Sequence, residues 1–113
     1  MPKSKWEALF AQALDAVGCP AMLQQYRFDP TRKWAFDFAH LPTKVALEID
    51  GGEFVQGAHN RGTRMAKDYE KRNHAIMQGW IIFQLTGQMV KKDCVYWAVK
   101  VKGLIEAGRT NSS

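Results

Sequence analysis

Residues 34–50, with the sequence WAFDFAHLPTKVALEID, decide the fold because two alternating stretches flank a short connection. In residues 34–39 and again in residues 45–50, bulky apolar side chains alternate with small or acidic ones, which is the pattern of a β-strand. The connection contains Pro42 and is short enough for a hairpin. The stretch therefore predicts two antiparallel neighbouring strands, with the turn centred between Pro42 and Thr43.

Because side chains alternate across a strand, this hairpin has two different faces. The first face is predicted to be apolar and consists of Trp34, Phe36, Phe38, Val45, Leu47 and Ile49. The second face carries three acids among alanines, and its predicted cross-strand pairs are Asp37 with Glu48, Ala39 with Ala46, and Ala35 with Asp50. Alanines beside the acids leave room for a metal and for a substrate backbone, so this face is the candidate functional surface.

Sequence patterns around the hairpin predict the remaining elements. They are a helix at residues 5–17 capped by Ser4, a strand at 25–28, a helix at 63–78 stopped by Gly79, a strand at 80–85, and a helix from Val90 to near Gly108. The order α-β-β-β-α-β-α favours an α/β fold in which a central mixed sheet of about four strands is flanked by helices. Since residues 80–85 are almost continuously apolar, that strand is expected to be buried on both faces and central in the sheet.

Length and composition limit the class of protein. At 113 residues the chain fits one domain, predicted at residues 1–109 with a loose tail at 110–113. It has no apolar run long enough to span a membrane and no secretory signal, so a cytoplasmic location is expected. Cys19 and Cys94 lie far apart without CxxC spacing, which argues against both a zinc site and a disulfide framework.

Like charges placed directly opposite each other on neighbouring strands are destabilising, so a positive group is expected between Asp37 and Glu48. Carboxylate oxygens held together on a rigid sheet suit Mg²⁺, Mn²⁺ or Ca²⁺ better than softer metals. The alternative is an ordinary solvated face, since polar residues alternate with apolar ones on any half-exposed strand. Such a face would carry Thr, Lys, Arg or Gln between the acids, whereas alanines stand there, and this favours the metal site.

The formal net charge of +5 makes the surface attractive to a polyanion such as nucleic acid. Cations are densest between Gly57 and His74, and the candidate contacts to a phosphate backbone are His59, Arg61, Arg64, Lys67 and Lys71. Within the helix, one stripe is formed by Lys67, Lys71, His74 and Gln78. The alternative for these helical residues is a solvated face without a partner.

A series of motifs in this chain resembles the PD-(D/E)XK nuclease superfamily. In chain order they are Phe28-x-Pro30-x-Arg32-Lys33-Trp34-x-Phe36-Asp37-Phe38-Ala39, Glu48-Ile49-Asp50-Gly51-Gly52, Gly57-x-His59-x-Arg61-Gly62, Asp68-x-x-Lys71-x-Asn73 and Gly79-Trp80. The combination looks like small phage and prophage endonucleases, which are similar to very-short-patch-repair-type nucleases and to Holliday junction resolvases. The resemblance covers roughly residues 5–90.

The resemblance implies a restriction-endonuclease-like fold and a Mg²⁺-dependent endodeoxyribonuclease, with Mn²⁺ as a substitute, that hydrolyses phosphodiester bonds. It assigns the metal to Asp37, Glu48 and Asp50, together with Glu7, which resembles the helical glutamate of resolvase-like members. The alternative for Glu7 is an exposed helix residue. Further implications are a branched DNA substrate, a homodimer that makes two symmetric cuts, and a phage or prophage protein acting in the cytoplasm of its bacterial host.

One departure from the family pattern concerns the lysine that usually stands two residues after the glutamate, because Asp50 occupies that position. Asp50 is then a further metal ligand, and the missing ammonium is expected from Lys71 or Lys67, with Lys71 preferred. Two other functions stay open. One is a catalytically inactive nucleic-acid-binding domain of the same fold, and the other is a structural domain with no nucleic-acid partner.

Overall fold

A computed structural model describes residues 4–51 and 61–111 of the chain. Its elements, in chain order, are α1 (Lys5–Ala16), β1 (Leu23–Arg27), β2 (Ala35–His40), β3 (Val45–Asp50), α2 (Arg61–Met77), β4 (Ile81–Thr86) and α3 (Gly87–Asn111). The predicted order and the α/β class are confirmed, with a 4-stranded mixed sheet flanked by helices. The finer likeness to restriction endonucleases stays a prediction. None of the described helices is long and apolar enough to cross a membrane.

The β2–β3 hairpin closes as its sequence predicts. The Lys44 backbone N–H donates to the Leu41 carbonyl at 3.2 Å, and Lys44 adopts a left-handed φ of 57° that completes the turn. The pairs beyond the turn are His40 with Val45, Ala39 with Ala46, and Phe38 with Leu47. The predicted register is confirmed for these three pairs, and the predicted pairs of Asp37 with Glu48 and of Ala35 with Asp50 are not among the register pairs of the two strands.

The four strands lie in the order β1-β2-β3-β4, with β1, β2 and β3 antiparallel and β4 parallel to β3. The hairpin places β2 on one side of β3, and the crossover through α2 places β4 on the other side. No described strand pairs with the side of β4 that faces away from β3, so β4 forms an edge of the sheet. The predicted central position of residues 80–85 is therefore wrong. The predicted burial on both faces is also wrong, because Leu85 is the one buried residue of β4, although Ile82 packs towards α2 and Leu85 packs on the opposite side.

Two hydrophobic cores lie on the two faces of the sheet. The core on the side of α1 and α3, here the α3-side core, contains Phe10, Ala13, Leu14, Phe38, Val45, Leu47, Ile49, Leu85, Val90, Ala98, Val101 and Ile105. The core beneath α2, here the α2-side core, contains Phe28, Phe36, Ala39, Ala46, Ala75 and Trp80. The sheet therefore separates two surfaces of different character.

The side chains of β2 do not alternate as predicted. Phe38 belongs to the α3-side core, but Phe36 is fully buried in the α2-side core and Trp34 packs against that same core. The β1–β2 register passes over Gln25, whose φ of 52° is left-handed. The alternation of β2 is interrupted between Phe36 and Phe38, opposite Gln25, so the predicted common face of Trp34, Phe36 and Phe38 is wrong.

Local signals set the ends of the helices. The Ser4 side chain accepts a hydrogen bond from the Glu7 backbone N–H at 3.3 Å, which is the predicted N-cap of α1. Gly79 has a φ of 92° after α2, as the predicted C-terminal stop requires. The last helix, α3, contains non-helical backbone at Asp93 and extends to Asn111, two residues into the segment predicted as a loose tail.

Gly87 is expected to be intolerant of a side chain. A Cβ at this position would lie 2.7 Å from Trp6 Nε1 and 2.9 Å from Trp6 Cε2, which is closer than real Cβ contacts. We expect Gly87→Ala to lower the free energy of unfolding by about 1–3 kcal/mol, because the Trp6 ring must move out of its packed position. Chemical denaturation followed by circular dichroism measures the change.

The control uses Trp6→Leu, which removes the ring that the new methyl group would meet. In this background Gly87→Ala should cost much less than in the wild-type protein. An equal cost in both backgrounds would contradict the steric explanation.

Candidate functional site

The central contact of the candidate site joins α2 to the hairpin. Lys71 Nζ lies 2.5 Å from Glu48 Oε2 and donates a second hydrogen bond to the Ala35 carbonyl at 2.8 Å. Both charged side chains are largely buried, with 19% of the Lys71 side chain and 25% of the Glu48 side chain exposed. An ammonium from α2 thus contacts the glutamate beside which sequence reasoning expected a cation.

Asp37 lies close to this ion pair. The Ile49 backbone N–H donates to Asp37 Oδ2 at 2.7 Å, which links β2 to β3 just beyond their last register pair. The carboxylate is near enough for its negative charge to raise the pKa of Glu48. The structure therefore brings together Asp37, Glu48 and Lys71 from the predicted catalytic set.

The surroundings of Glu48 oppose its ionisation. Burial is the largest effect and raises the pKa of Glu48 above its ordinary value, and the charges of Asp37 and Asp68 raise it further. The hydrogen bond and the positive charge of Lys71 lower the pKa but do not cancel these effects. A second cation beside Glu48 would stabilise its carboxylate form, so the site has the electrostatic character that favours a bound positive ion.

Glu7 is buried, with 3% of its surface exposed, so its alternative interpretation as an exposed helix residue is wrong. Glu7 Oε1 accepts a hydrogen bond from Gln25 Nε2 at 2.7 Å. Gln25 lies on β1 between Gln24 and Tyr26, which pair with β2, and it is level with Asp37. Gln25 thus connects Glu7 to the margin of the site, and sequence reasoning missed it because the pairing of β1 with β2 could not be derived from the sequence.

The parallel strand β4 adds a polar residue beside Glu48. Glu48 and Gln84 are register partners, and Asp50 with Thr86 is the next pair on that face. Both Gln84 and Asp50 are exposed. Sequence reasoning missed Gln84, whose signal was a polar residue inside the apolar run of residues 80–85.

Among residues 4–51 and 61–111, no group of three or more His, Cys, Asp or Glu side chains is arranged to hold a metal. The predicted ligand set of Asp37, Glu48, Asp50 and Glu7 is therefore not gathered around one point in this part of the chain. Asp37 and Glu48 lie near each other, Glu7 is engaged with Gln25, and Asp50 is exposed at the end of β3.

The alanines beside the acids have a packing role. Ala39 and Ala46 are fully buried and pack with Ala75 of α2. The predicted open alanine surface is therefore wrong at these two positions. Their small side chains let α2 lie close to the sheet, and this closeness brings Lys71 within reach of Glu48.

The cationic candidates on α2 have different surroundings. Lys67 is exposed, as a phosphate contact requires. Lys71 instead contacts Glu48. The His74 ring packs against the Trp34 ring, with 5.3 Å between the two ring centroids. The predicted stripe on α2 is thus only partly open to solvent. His59 and the side chains of Arg61 and Arg64 lie outside the described residues.

Cys19 and Cys94 are both free thiols, as their spacing predicts. Burial raises the pKa of each thiol, so neither is poised to react as a thiolate. The candidate chemistry therefore rests on the carboxylates and the ammonium around Glu48.

Glu48 is expected to make the free energy of unfolding depend on pH. A carboxyl whose pKa is raised in the folded state holds its proton more tightly there than in the unfolded chain. Stability should therefore fall as pH rises from the ordinary value of 4.5 through the pKa of folded Glu48. Glu48→Gln mimics the protonated form and cannot ionise at this position. The difference between the unfolding free energies of wild type and variant (wild type minus variant) should therefore decrease as pH rises over this range.

Denaturant titrations of both proteins at a series of pH values measure this difference. A difference that stays constant or increases with pH would show that the fold does not disfavour the charged form of Glu48.

No family model, curated protein or solved structure matches this chain. The resemblance to PD-(D/E)XK nucleases therefore stays a prediction from the sequence motifs. What the protein does must be inferred from Asp37, Glu48, Lys71 and their surroundings.

Proposed function

We propose that this protein is a metal-dependent DNA endonuclease that hydrolyses phosphodiester bonds at the site formed by Asp37, Glu48 and Lys71. The observation that carries the proposal is the contact between Lys71 Nζ and Glu48 Oε2 beside Asp37. The motif predicts two acids and a lysine, and Asp50 stands where the lysine is usual. An ammonium from α2 at the same glutamate supplies the charge that the motif lacks.

Two neighbouring carboxylates suit Mg²⁺ in particular. This ion usually keeps several of its waters and binds through one or two carboxylates, so Asp37 and Glu48 are a sufficient set of protein ligands. The raised pKa of Glu48 also favours a cation as an additional partner. When bound, the ion would neutralise charge on a phosphate and lower the pKa of a coordinated water.

Lys71 holds Glu48 in position and contributes a fixed positive charge. Its ammonium donates hydrogen bonds to Glu48 on β3 and to the Ala35 carbonyl on β2, so contacts with two strands fix its position. A positive group held in this way can stabilise the negative charge that develops on a phosphate in the transition state. Gln84, exposed beside Glu48, is suited to donate a hydrogen bond to a nucleotide at the same site.

The charge of the chain supports DNA as the substrate. The net charge is +5, and exposed cations include Arg32 and Lys33 before β2 and Lys67 on α2, with the Arg32 guanidinium over the Trp34 ring at 4.7 Å from its centroid. Cations of this kind position a duplex by its phosphates without reading its sequence. The preference for branched DNA is a finer proposal that rests on the family resemblance.

Asp37→Asn and Glu48→Gln are each expected to abolish cleavage and to leave DNA binding intact. Each change removes a negative metal ligand with almost no change in volume. The assay incubates purified protein with supercoiled plasmid, linear duplex and a four-way junction, with Mg²⁺, with Mn²⁺ and with EDTA. Calorimetric titration of Mn²⁺ into the free protein provides a second measurement, in which both variants should lose the binding heat.

Asp15→Asn, the same chemical change on an exposed position of α1, is the matched control and should cleave like wild type. Retained cleavage in both site variants would overturn the assignment of the site. Salt-sensitive DNA binding by the wild-type protein without cleavage under any metal condition would instead favour the inactive nucleic-acid-binding domain.

Lys71→Met is expected to reduce the cleavage rate by about 100-fold or more, because it removes a fixed charge next to the reacting phosphate. Lys67→Met, which removes an exposed cation from the same helix, should weaken DNA binding and reduce its salt dependence but leave the rate at saturating DNA nearly unchanged. Single-turnover cleavage at saturating protein separates the two effects. Equal loss of rate in both variants would contradict a special role for Lys71.

A further inference from the structure

An arginine at the start of β2 lies over an aromatic ring. The Arg32 guanidinium is 4.7 Å from the centroid of the Trp34 ring, and 42% of the Arg32 side chain is exposed. The Trp34 ring is half-buried. The guanidinium therefore has one side against the ring and leaves much of its remaining surface open to solvent. Arg32 and Trp34 together are called the stacking platform below.

A carboxylate beneath the turn holds Arg32 in place. The Asp29 side chain is 6% exposed, and its Oδ1 accepts hydrogen bonds from the Thr31 backbone N–H and hydroxyl, each at 2.9 Å, and from the Arg32 backbone N–H at 3.0 Å. Asp29 Oδ2 also lies 3.6 Å from Arg32 Nη1. The pKa of Asp29 is below its ordinary value, chiefly because of the Thr31 backbone N–H, so the carboxylate is charged. Arg32 is thus held by its backbone and by its guanidinium, which lowers the entropy that a ligand would cost it.

The stacking platform lies on the same side of the sheet as the candidate site. Trp34 packs against the α2-side core and directly precedes Ala35, whose carbonyl accepts a hydrogen bond from Lys71. The Trp34 ring also contacts His74, which stands one turn after Lys71 on α2. One helical turn measures about 5.4 Å, and successive nucleotides of a duplex strand are about 3.4 Å apart. A nucleotide at the platform would therefore be only a few positions from a phosphate at Glu48.

The contacts of Arg32 favour a nucleobase over a phosphate as its ligand. The Asp29 carboxylate neutralises part of the positive charge of Arg32, which weakens its attraction for a phosphate. A guanidinium held against an aromatic ring still offers a planar surface, and unpaired bases stack on such planes as they do on aromatic side chains. A base inside a duplex is already stacked between its neighbours and cannot reach this surface, whereas an unpaired base can.

We propose that Arg32, supported by Trp34, stacks on an unpaired base of the DNA that is bound at Glu48 and Lys71. The protein then prefers DNA in which a base near the bound phosphate is unpaired, and Arg32 determines this specificity. Trp34 and Asp29 contribute by holding the guanidinium in place. The inference rests on the proposed function for the identity of its ligand, DNA.

Fluorescence anisotropy in EDTA measures binding without cleavage. Three labelled DNAs of one sequence are compared: a short fully paired duplex, the same duplex with one extra unpaired thymine in one strand, and that duplex with an abasic nucleotide in place of the thymine. Wild type is expected to bind the thymine duplex at least about fivefold more tightly than either of the others, which is the lower end of what stacking of one base contributes. The abasic duplex keeps the extra phosphate and removes only the stacking partner.

Arg32→Lys keeps the positive charge and removes the guanidinium plane. This variant should bind the thymine duplex and the abasic duplex equally, with the salt dependence of its binding unchanged. Arg72→Lys is the matched control, because the Arg72 guanidinium also lies over an aromatic ring, at 5.7 Å from the centroid of Tyr69. The control should keep the wild-type preference for the thymine duplex.

Three results would overturn base stacking at Arg32: no preference for the thymine duplex in wild type, an unchanged preference in Arg32→Lys, or an abasic duplex bound as tightly as the thymine duplex. The cleavage assay separates this proposal from the nuclease proposal. A preference that depends on Arg32 in a protein that cleaves no DNA would support base stacking and overturn the nuclease alone. Cleavage without the preference would overturn base stacking alone, and a protein that binds none of the DNAs would overturn both.

Discussion

The fold and the candidate chemistry both depend on the burial of the Glu48 carboxylate beneath α2. A buried carboxylate costs free energy unless a positive group compensates it, and Lys71 is the partner that the structure provides. Because Lys71 also binds the Ala35 carbonyl, one ammonium attaches α2 to two strands of the sheet. Loss of the Lys71 ammonium would leave the Glu48 carboxylate buried without a compensating charge. The packing of α2 and the electrostatics of the site therefore cannot change independently.

Small residues in the sheet are the geometric condition for this ion pair. Ala39 and Ala46 are completely buried under Ala75 of α2, and a larger side chain at either strand position would move the helix away and withdraw Lys71 from Glu48. The sequence places these alanines on the same strands as the acids, which sequence reasoning interpreted as space for a ligand. In the structure these alanines instead set the distance between α2 and the sheet. This distance determines how closely Lys71 approaches Glu48.

Short-range patterns were sufficient to predict the element order, three pairs of the hairpin register and the proximity of Asp37 to Glu48, whereas Lys71 was expected at this site only from the family resemblance. Period-2 alternation and a turn at Pro42 specify which residues of two neighbouring strands face each other. The errors concern features that depend on distant parts of the chain. Phe36 takes the opposite face from Phe38 beside the left-handed Gln25 of the neighbouring strand, and the crossover through α2 places β4 at an edge. The buried contact of Glu7 with Gln25 also requires the β1–β2 pairing, which leaves no signal in either segment alone.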